Sequence, residues 1–559
     1  MVATIASGQH ALSQRRAQLA GPSGVKGLLS NLRIFAIAVF ASLGGFVYGY
    51  NQGMFGQILN MPSFSATVHP ESISNPTLRG FLTAILELGA WVGVLINGVL
   101  ADRLGRKLAT FSGVIVFLLG VIVQACAKGP SYILGGRFVT GMGVGTLSMI
   151  VPLYNAELAP AELRGSLVSL QQLAITFGIM VSYWIGYGTN YIGGTGAHQS
   201  NAAWLVPICI QILPASVLVL VFYSCLLGIP RWLMTKGRDE ESLAVISRIR
   251  SLPSENELVQ LEYLEMKAQH RFEVETSIAR FPQYQAPGLM NQFKLGFQQY
   301  VSLLTNRSLF KRVVVAVFIM VFQQWSGVNA ILYYAAFIFK DLGLTGNTTS
   351  LLASGVGGIL MFLATIPAVL YIDQLGRKPV LIAGAIGMGV SHIIVAALYG
   401  SFNKDWAAHR AAGWVAVVFV WIYEIHFGCS WGPGAWVVVA EIFPLGFRAK
   451  GISIGASSNW LNNFAIGQAT PPMVSSMTYG TFIFFGLICF IGALFIYFAV
   501  PETKNLTLEE MDEVFGDEAG NAIEDRNRLV QIYTELGLLG DGVAEEKHVP
   551  GNETVEVEP

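Results

Sequence analysis

Residues 98–107 read GVLADRLGRK, and residues 369–378 read VLYIDQLGRK. Asp102 and Asp373 stand 271 residues apart, each closing an apolar stretch just before a glycine and a cationic pair. A second pair of segments, ELAPAELRG from Glu157 and EIFPLGFRAKG from Glu441, keeps the same order, with Glu157 leading Arg164 and Glu441 leading Arg448 by seven residues. The chain therefore reads as two halves of one design. Membrane carriers are built this way, with a ligand held between the repeats.

Composition agrees with that reading. Of 559 residues, 53% are hydrophobic and 12% charged, and the mean hydropathy is +0.54, which excludes an ordinary water-soluble domain. Apolar stretches of about the 20 residues needed to cross a bilayer recur at 34–56, 79–100, 108–127, 132–153, 167–188, 203–225, 310–335, 350–372, 379–399, 412–438, 451–473 and 478–499. The expected fold is an all-α membrane protein, with twelve transmembrane helices in two six-helix bundles and short cytosolic helices between them. The expected divisions are an N-terminal tail over 1–33, a first bundle over 34–230, a helical linker over 231–305, a second bundle over 306–500 and a C-terminal tail over 501–559.

Arg15, Arg16, Lys26 and Arg33 precede the first span, and the cationic loops at 103–107, 377–378 and 448–450 lie an even number of crossings away. The positive-inside bias puts all of these, and both termini, in the cytosol. In the linker, DEESLAVISRIR and ENELVQLEYLEMKAQHRFEVE have helical periodicity with a polar face. LTLEEMDEVF after the last span is another helix candidate with Thr507 or a nearby residue as a cap, and beyond about 517 the charges and glycines read as a mobile tail. The five cysteines, Cys126, Cys209, Cys225, Cys429 and Cys489, fall in or beside apolar segments without metal or redox spacing. Asn347-Thr348-Thr349 forms a glycosylation pattern in a loop on the extracellular side.

Polar side chains interrupt the spans in a consistent way. FQQWSGVNAILYY at 322–334 places Gln323, Gln324 and Asn329 on one helix with Tyr333 and Tyr334 beyond. Gln171 and Gln172 lie in the fifth span, Trp431 and Trp436 in SWGPGAW of the tenth, and Asn459, Trp460, Asn462 and Asn463 in SNWLNN of the eleventh. Amides present donors and acceptors without charge, and aromatic faces cover apolar CH surfaces, so a neutral polyol is the natural ligand. At the cytosolic helix ends, Asp102, Arg103, Arg106, Glu157 and Arg164 in the first half, and Asp373, Arg377, Glu441, Arg448 and Glu502 in the second, form a latch of ion pairs that closes and opens a gate. Arg137, costly in lipid, is expected to face protein or water and to pair with a loop carboxylate.

The chain resembles the sugar porters of the major facilitator superfamily, most closely the fungal members, over roughly 34–515. The resemblance rests on GVLADRLGRK, IDQLGRK, GGRFVTGMGVG, PLYNAELAPAELRG, QQWSGVNAILYY, EIFPLGFRAKG and PETKNLTLEE. It implies alternating access and a monosaccharide held at mid-membrane by Gln172, Gln323, Gln324, Asn329, Trp431, Trp436, Asn459 and Asn463, with Tyr333 and Tyr334 as an extracellular gate. Three departures stand out. Gly228 occupies an acidic position of the family signature, Met361 an asparagine position, and Ile179 the position of a second glutamine in some bacterial relatives.

The resemblance also bears on coupling. Proton-coupled relatives carry aspartate where this chain has Asn51, which favours facilitated diffusion over proton symport. Glu87 in the second span and Glu424 in the tenth are the coupling candidates in the symport alternative, and protons are then a second partner. A non-transporting sugar sensor is the other functional class. Nothing points to an enzyme, a cofactor or a nucleic-acid partner, and a monomer in the plasma membrane is expected.

Overall fold

The computed structural model describes residues 15, 18–19, 32–158, 164–224, 230–284, 288–342, 347–444, 447–504, 511, 514–515 and 521–538. At 32–34, 98–104, 156–158, 164–169, 221–224, 289, 292, 347–348, 373, 521–523 and 526 it describes the backbone alone. Among the described residues there is no strand.

Twelve helical spans are traced. The first is Leu32–Ala41 with Leu43–Ile58, the second Pro76–Asn97, the third Gly105–Ala125, the fourth Pro130–Leu158, the fifth Arg164–Thr189, and the sixth Ala202–Ile210 with Ile212–Ser224. The seventh is Arg307–Trp325 with Val328–Asp341, the eighth Asn347–Leu375, the ninth Arg377–Phe402 and the tenth Arg410–His426 with Gly432–Glu441. Arg448–Met477 and Gly480–Ala499 complete the set. Among the described residues, nine helices are long and apolar enough to cross a membrane. The first, fifth and eleventh, which carry more glycine, amide and hydroxyl residues, complete the twelve.

Those three spans keep their polar groups from lipid. Asn51, Gln52, Gln171, Asn459 and Asn463 are all buried. The first span packs on the fifth, and the seventh on the eleventh; the halves meet where the second packs on the eleventh and the fifth on the eighth. Exchanging the repeats exchanges these last two contacts, so the interface has the same two-fold symmetry as the motifs.

One face of the bundle carries the linker helices Pro230–Thr235, Asp239–Arg250, Glu257–Arg280 and Leu289–Thr305. Asn256 starts the third of them by accepting the Leu258 N–H at 3.0 Å, and Asn306 starts the seventh span by accepting the Ser308 N–H at 2.9 Å. Arg250 and Glu262 form a buried bidentate pair between the second and third linker helices. The Thr507 cap lies outside the described residues, as does Gly228.

The mobile-tail expectation fails over part of its length. Asn521–Glu535 is a helix docked on Glu257–Arg280. Its charged residues conceal a narrow apolar stripe: Leu529, Ile532 and the following Leu538 bury against Leu261, Ala268 and Phe272. Arg280 pairs with Asp525, and Arg271 with Glu535 at 2.6 Å, on either side of that contact. Burial of an aliphatic side chain contributes about 2 kcal/mol. Leu529→Asp with Ile532→Asp is therefore expected to undock the helix, and amide hydrogen exchange across 521–538 should quicken at least tenfold while the transmembrane spans keep their protection.

Candidate functional site

The seventh span breaks in the middle of the apolar core. Arg307–Trp325 ends, Gly327 adopts φ +98°, and the helix restarts at Val328. Only glycine takes that left-handed conformation without strain. A broken helix in a bilayer needs partners for its freed groups, and they are present. Ser326 donates from Oγ to the Gln323 carbonyl at 2.7 Å and lies 3.1 Å from the Tyr423 hydroxyl, while His392 Nε2 meets the Ser326 carbonyl at 2.9 Å.

The tenth span also departs from the α-helix, in a π-helical turn over Phe427–Trp431. Such wide turns recur at functional sites. Gln323 donates Nε2 to the Trp431 carbonyl at 2.8 Å and receives Asn459 Nδ2 on Oε1 at 2.7 Å, so one amide joins the seventh, tenth and eleventh spans. Asn329 donates to Gln324 across the break. Gln172 is half-buried in the fifth span and faces Gly432, where an added Cβ would lie 3.3 Å from its Nε2. Trp436 is half-buried on the tenth span.

Trp431 itself supplies the carbonyl that accepts from Gln323. It is 1% exposed, and its indole N–H donates to the Leu381 carbonyl at 2.8 Å, which fixes it between the ninth and tenth spans. Sequence reasoning passed over two residues at the centre, Tyr48 and Gln52. The Tyr48 ring lies tilted against Trp460 at 5.1 Å, and Gln52 lies within 3.2 Å of the Tyr48 hydroxyl and 3.3 Å of the Tyr333 hydroxyl. The i, i+4 pairing of Tyr48 and Gln52 beside Asn51 was the available signal.

On the face opposite the linker, the short helix after the break closes over this centre. Tyr333 donates to Glu87 Oε1 at 2.6 Å and lies 2.9 Å from Asn463 Oδ1, and Tyr334 donates to the Gly467 carbonyl at 2.8 Å. Tyr183 of the fifth span donates to the Leu332 carbonyl at 2.6 Å, and Lys340 reaches Asn60 at 2.9 Å. Gly56 makes the approach possible, since a Cβ there would stand 2.5 Å from the Tyr333 carbonyl oxygen.

Several buried amide atoms have no partner among the described residues: Asn459 Oδ1 and Asn463 Nδ2 at the centre, and both polar atoms of Gln171 beside Gly45 of the first span. The set offers donors and acceptors alike and no charge. Asn51 turns its Nδ2 onto the Val47 carbonyl of its own helix at 3.0 Å. Glu424 is buried with Oε2 unpartnered, beside Gly357 of the eighth span. Arg137 donates to the Thr83 carbonyl at 2.8 Å and lies 3.8 Å over the Phe55 ring. Instead of pairing with a loop carboxylate, it interacts electrostatically with Glu87, inside the bundle.

At the linker face, Arg377 pairs with Glu441 at 2.7 Å, and Thr503 donates to the other Glu441 oxygen at 2.5 Å. Glu502 caps the ninth span by accepting the Arg377 and Lys378 N–H groups at 2.9 and 3.0 Å. Burial pushes its carboxyl up, but these N–H groups, with those of Lys504 and Thr503, outweigh it and hold the group below the usual carboxylate range. The side chains of Asp102, Arg103, Glu157, Arg164, Asp373 and Asn347 lie outside the described residues.

The family described as "Sugar (and other) transporter" matches residues 37–515. The MFS glucose transporter mfs1 of Aspergillus flavus is 30% identical, covering 90% of this chain and 94% of its own length. The high glucose sensor RGT2 of Saccharomyces cerevisiae is 32% identical over 87% of this chain and 61% of its own length, and a quinate permease of Emericella nidulans 30% identical over 87% and 89%. Among solved structures, the proton:xylose symporter XylE bound to 6-bromo-6-deoxy-D-glucose superposes with a TM-score of 0.68 at 28% identity, over 86% of this chain and 99% of that one.

Gly56→Ala is expected to hold the face opposite the linker apart. A cysteine at Gln52, in a background with the native cysteines replaced by serine, should then react with a water-soluble thiol reagent several-fold faster than it does with Gly56 intact.

Proposed function

The chain belongs to the sugar porter family of the major facilitator superfamily, and from that premise we propose that it carries a neutral monosaccharide across the membrane by alternating access. The family is one of transporters and not of enzymes. One observation carries the finer reading: uncharged, partly unpartnered amides converge on the break in the seventh span, directly beneath a closed face. Hydroxyl groups both donate and accept, so Asn459, Asn463, Gln323, Gln324, Asn329 and Gln172 match a sugar, and the Tyr48–Trp460 pair and Trp436 supply apolar faces for its ring.

Glucose is the first substrate to test, with xylose and galactose beside it. Quinate carries a carboxylate, and the amide cluster offers no cation to neutralise one. Tyr333 and Tyr334 serve as the outer gate. Arg377, Glu441 and Glu502 hold the inner one, with Asp102, Arg103, Arg106, Glu157, Arg164, Asp373 and Arg448 as its further members. This orientation sets the linker and both termini in the cytosol, with the protein acting as a monomer in the plasma membrane.

A sensor would bind sugar without moving it. In proteoliposomes loaded with unlabelled D-glucose, the chain is expected to take up labelled D-glucose by counterflow, which a sensor would not do. Gln323→Ala removes the amide that joins three spans. At about 1.4 kcal/mol for a lost hydrogen bond to a polar ligand, it should weaken apparent glucose affinity about tenfold. Absence of counterflow with glucose, xylose and galactose would reject the transport reading.

A further inference from the structure

Glu87 is the one carboxylate, among the described residues, that hydrogen-bonds the outer gate. It belongs to the first half, is 0% exposed, and accepts the hydroxyl of Tyr333, which belongs to the second. Among the described residues, its other oxygen has no hydrogen-bond partner, and neither do Nε and Nη1 of Arg137. A buried, half-satisfied carboxylate is costly unless its charge has a use.

The groups facing Glu87 come from every neighbouring span. Arg137 approaches from the fourth, Tyr48 from the first and Tyr333 from the seventh. Tyr334 lies beside Arg79 and Arg137, and the eleventh span contributes the neutral Asn463. Among the described residues, Glu424 makes no hydrogen bond to the gate tyrosines and sits beside Gly357 of the eighth span. Asn51 carries no proton that transport could move.

We propose that Glu87 carries a proton inward with each sugar, through its bond to the Tyr333 gate, so that the chain is a sugar–proton symporter whose proton site lies on the second span. The inference rests on the transport reading. Outward opening separates the halves, which withdraws the Tyr333 hydroxyl and brings Glu87 to outer water. There a carboxylate oxygen forms an O–H bond with a proton taken from that water. Closure returns the hydroxyl, which donates to the carboxylate with Arg137 behind it, so the deprotonated carboxylate keeps two partners in the closed face. The O–H bond then breaks, and its proton passes to water on the cytosolic side. One positive charge crosses with each neutral sugar, and the sign follows: acid outside drives uptake.

The test is a D-glucose concentration jump on the full chain in proteoliposomes, reading membrane current and labelled glucose exchange in the same vesicles. The wild type is expected to give a sustained current that grows as the outside is made more acid. Glu87→Gln is expected to lower the ratio of current to exchange more than tenfold. Tyr333→Phe keeps the carboxylate but removes the donor that meets it on closure, and is expected to lower the ratio of current to exchange several-fold, a smaller loss than in Glu87→Gln. Exchange without current in the wild type would overturn the proposal and leave a facilitated carrier. Current retained in Glu87→Gln would overturn it by placing the proton elsewhere. Neither exchange nor current with glucose, xylose and galactose would sink the transport reading itself.

Discussion

A helix inside a bilayer must satisfy its own backbone, and everything distinctive about this molecule depends on the one place where the seventh span does not. At Ser326–Gly327 the chain leaves the helix, and its freed groups are taken up by Ser326, His392 and Tyr423. The helix that follows is thereby partly independent of the one before it. It carries Tyr333 and Tyr334 across to the other half, where Gly56, Tyr183 and Glu87 receive it.

The same break organises the polar centre. Gln323 stands one turn before it and ties together the π turn of the tenth span and Asn459 of the eleventh. Irregular backbone in two spans and amides in a third thus meet at one depth, where each supplies what the other lacks. The linker face is built on different physics. There Glu502 caps a helix end and Arg377 pairs with Glu441 near water, interactions that form and part at modest cost.

Much of this was legible in the residues. The duplicated LGRK motifs and the apolar periodicity imply two bundles, and QQWSGVN draws attention to the seventh span. What could not be read was direction. Trp431 and Trp436 look alike in SWGPGAW, yet Trp431 is held by its bond to the Leu381 carbonyl while Trp436 is half-buried. Arg137 reads as a cation seeking a loop, yet the partner within its field is Glu87, 50 residues earlier on another helix. The tail beyond 517 reads as solvated because charges and glycines run through it, but Leu529 and Ile532 needed only a matching stripe on Glu257–Arg280 to order it.

By itself the sequence determined the membrane class, the repeat, the spans and the chemical character of the centre, because hydropathy, spacing and side-chain type are local properties. Only the tertiary structure decided which polar groups satisfy one another and which remain available. Those outcomes depend on the rotation of each helix and on contacts between residues such as Glu87 and Tyr333, 246 positions apart, and no local pattern encodes them.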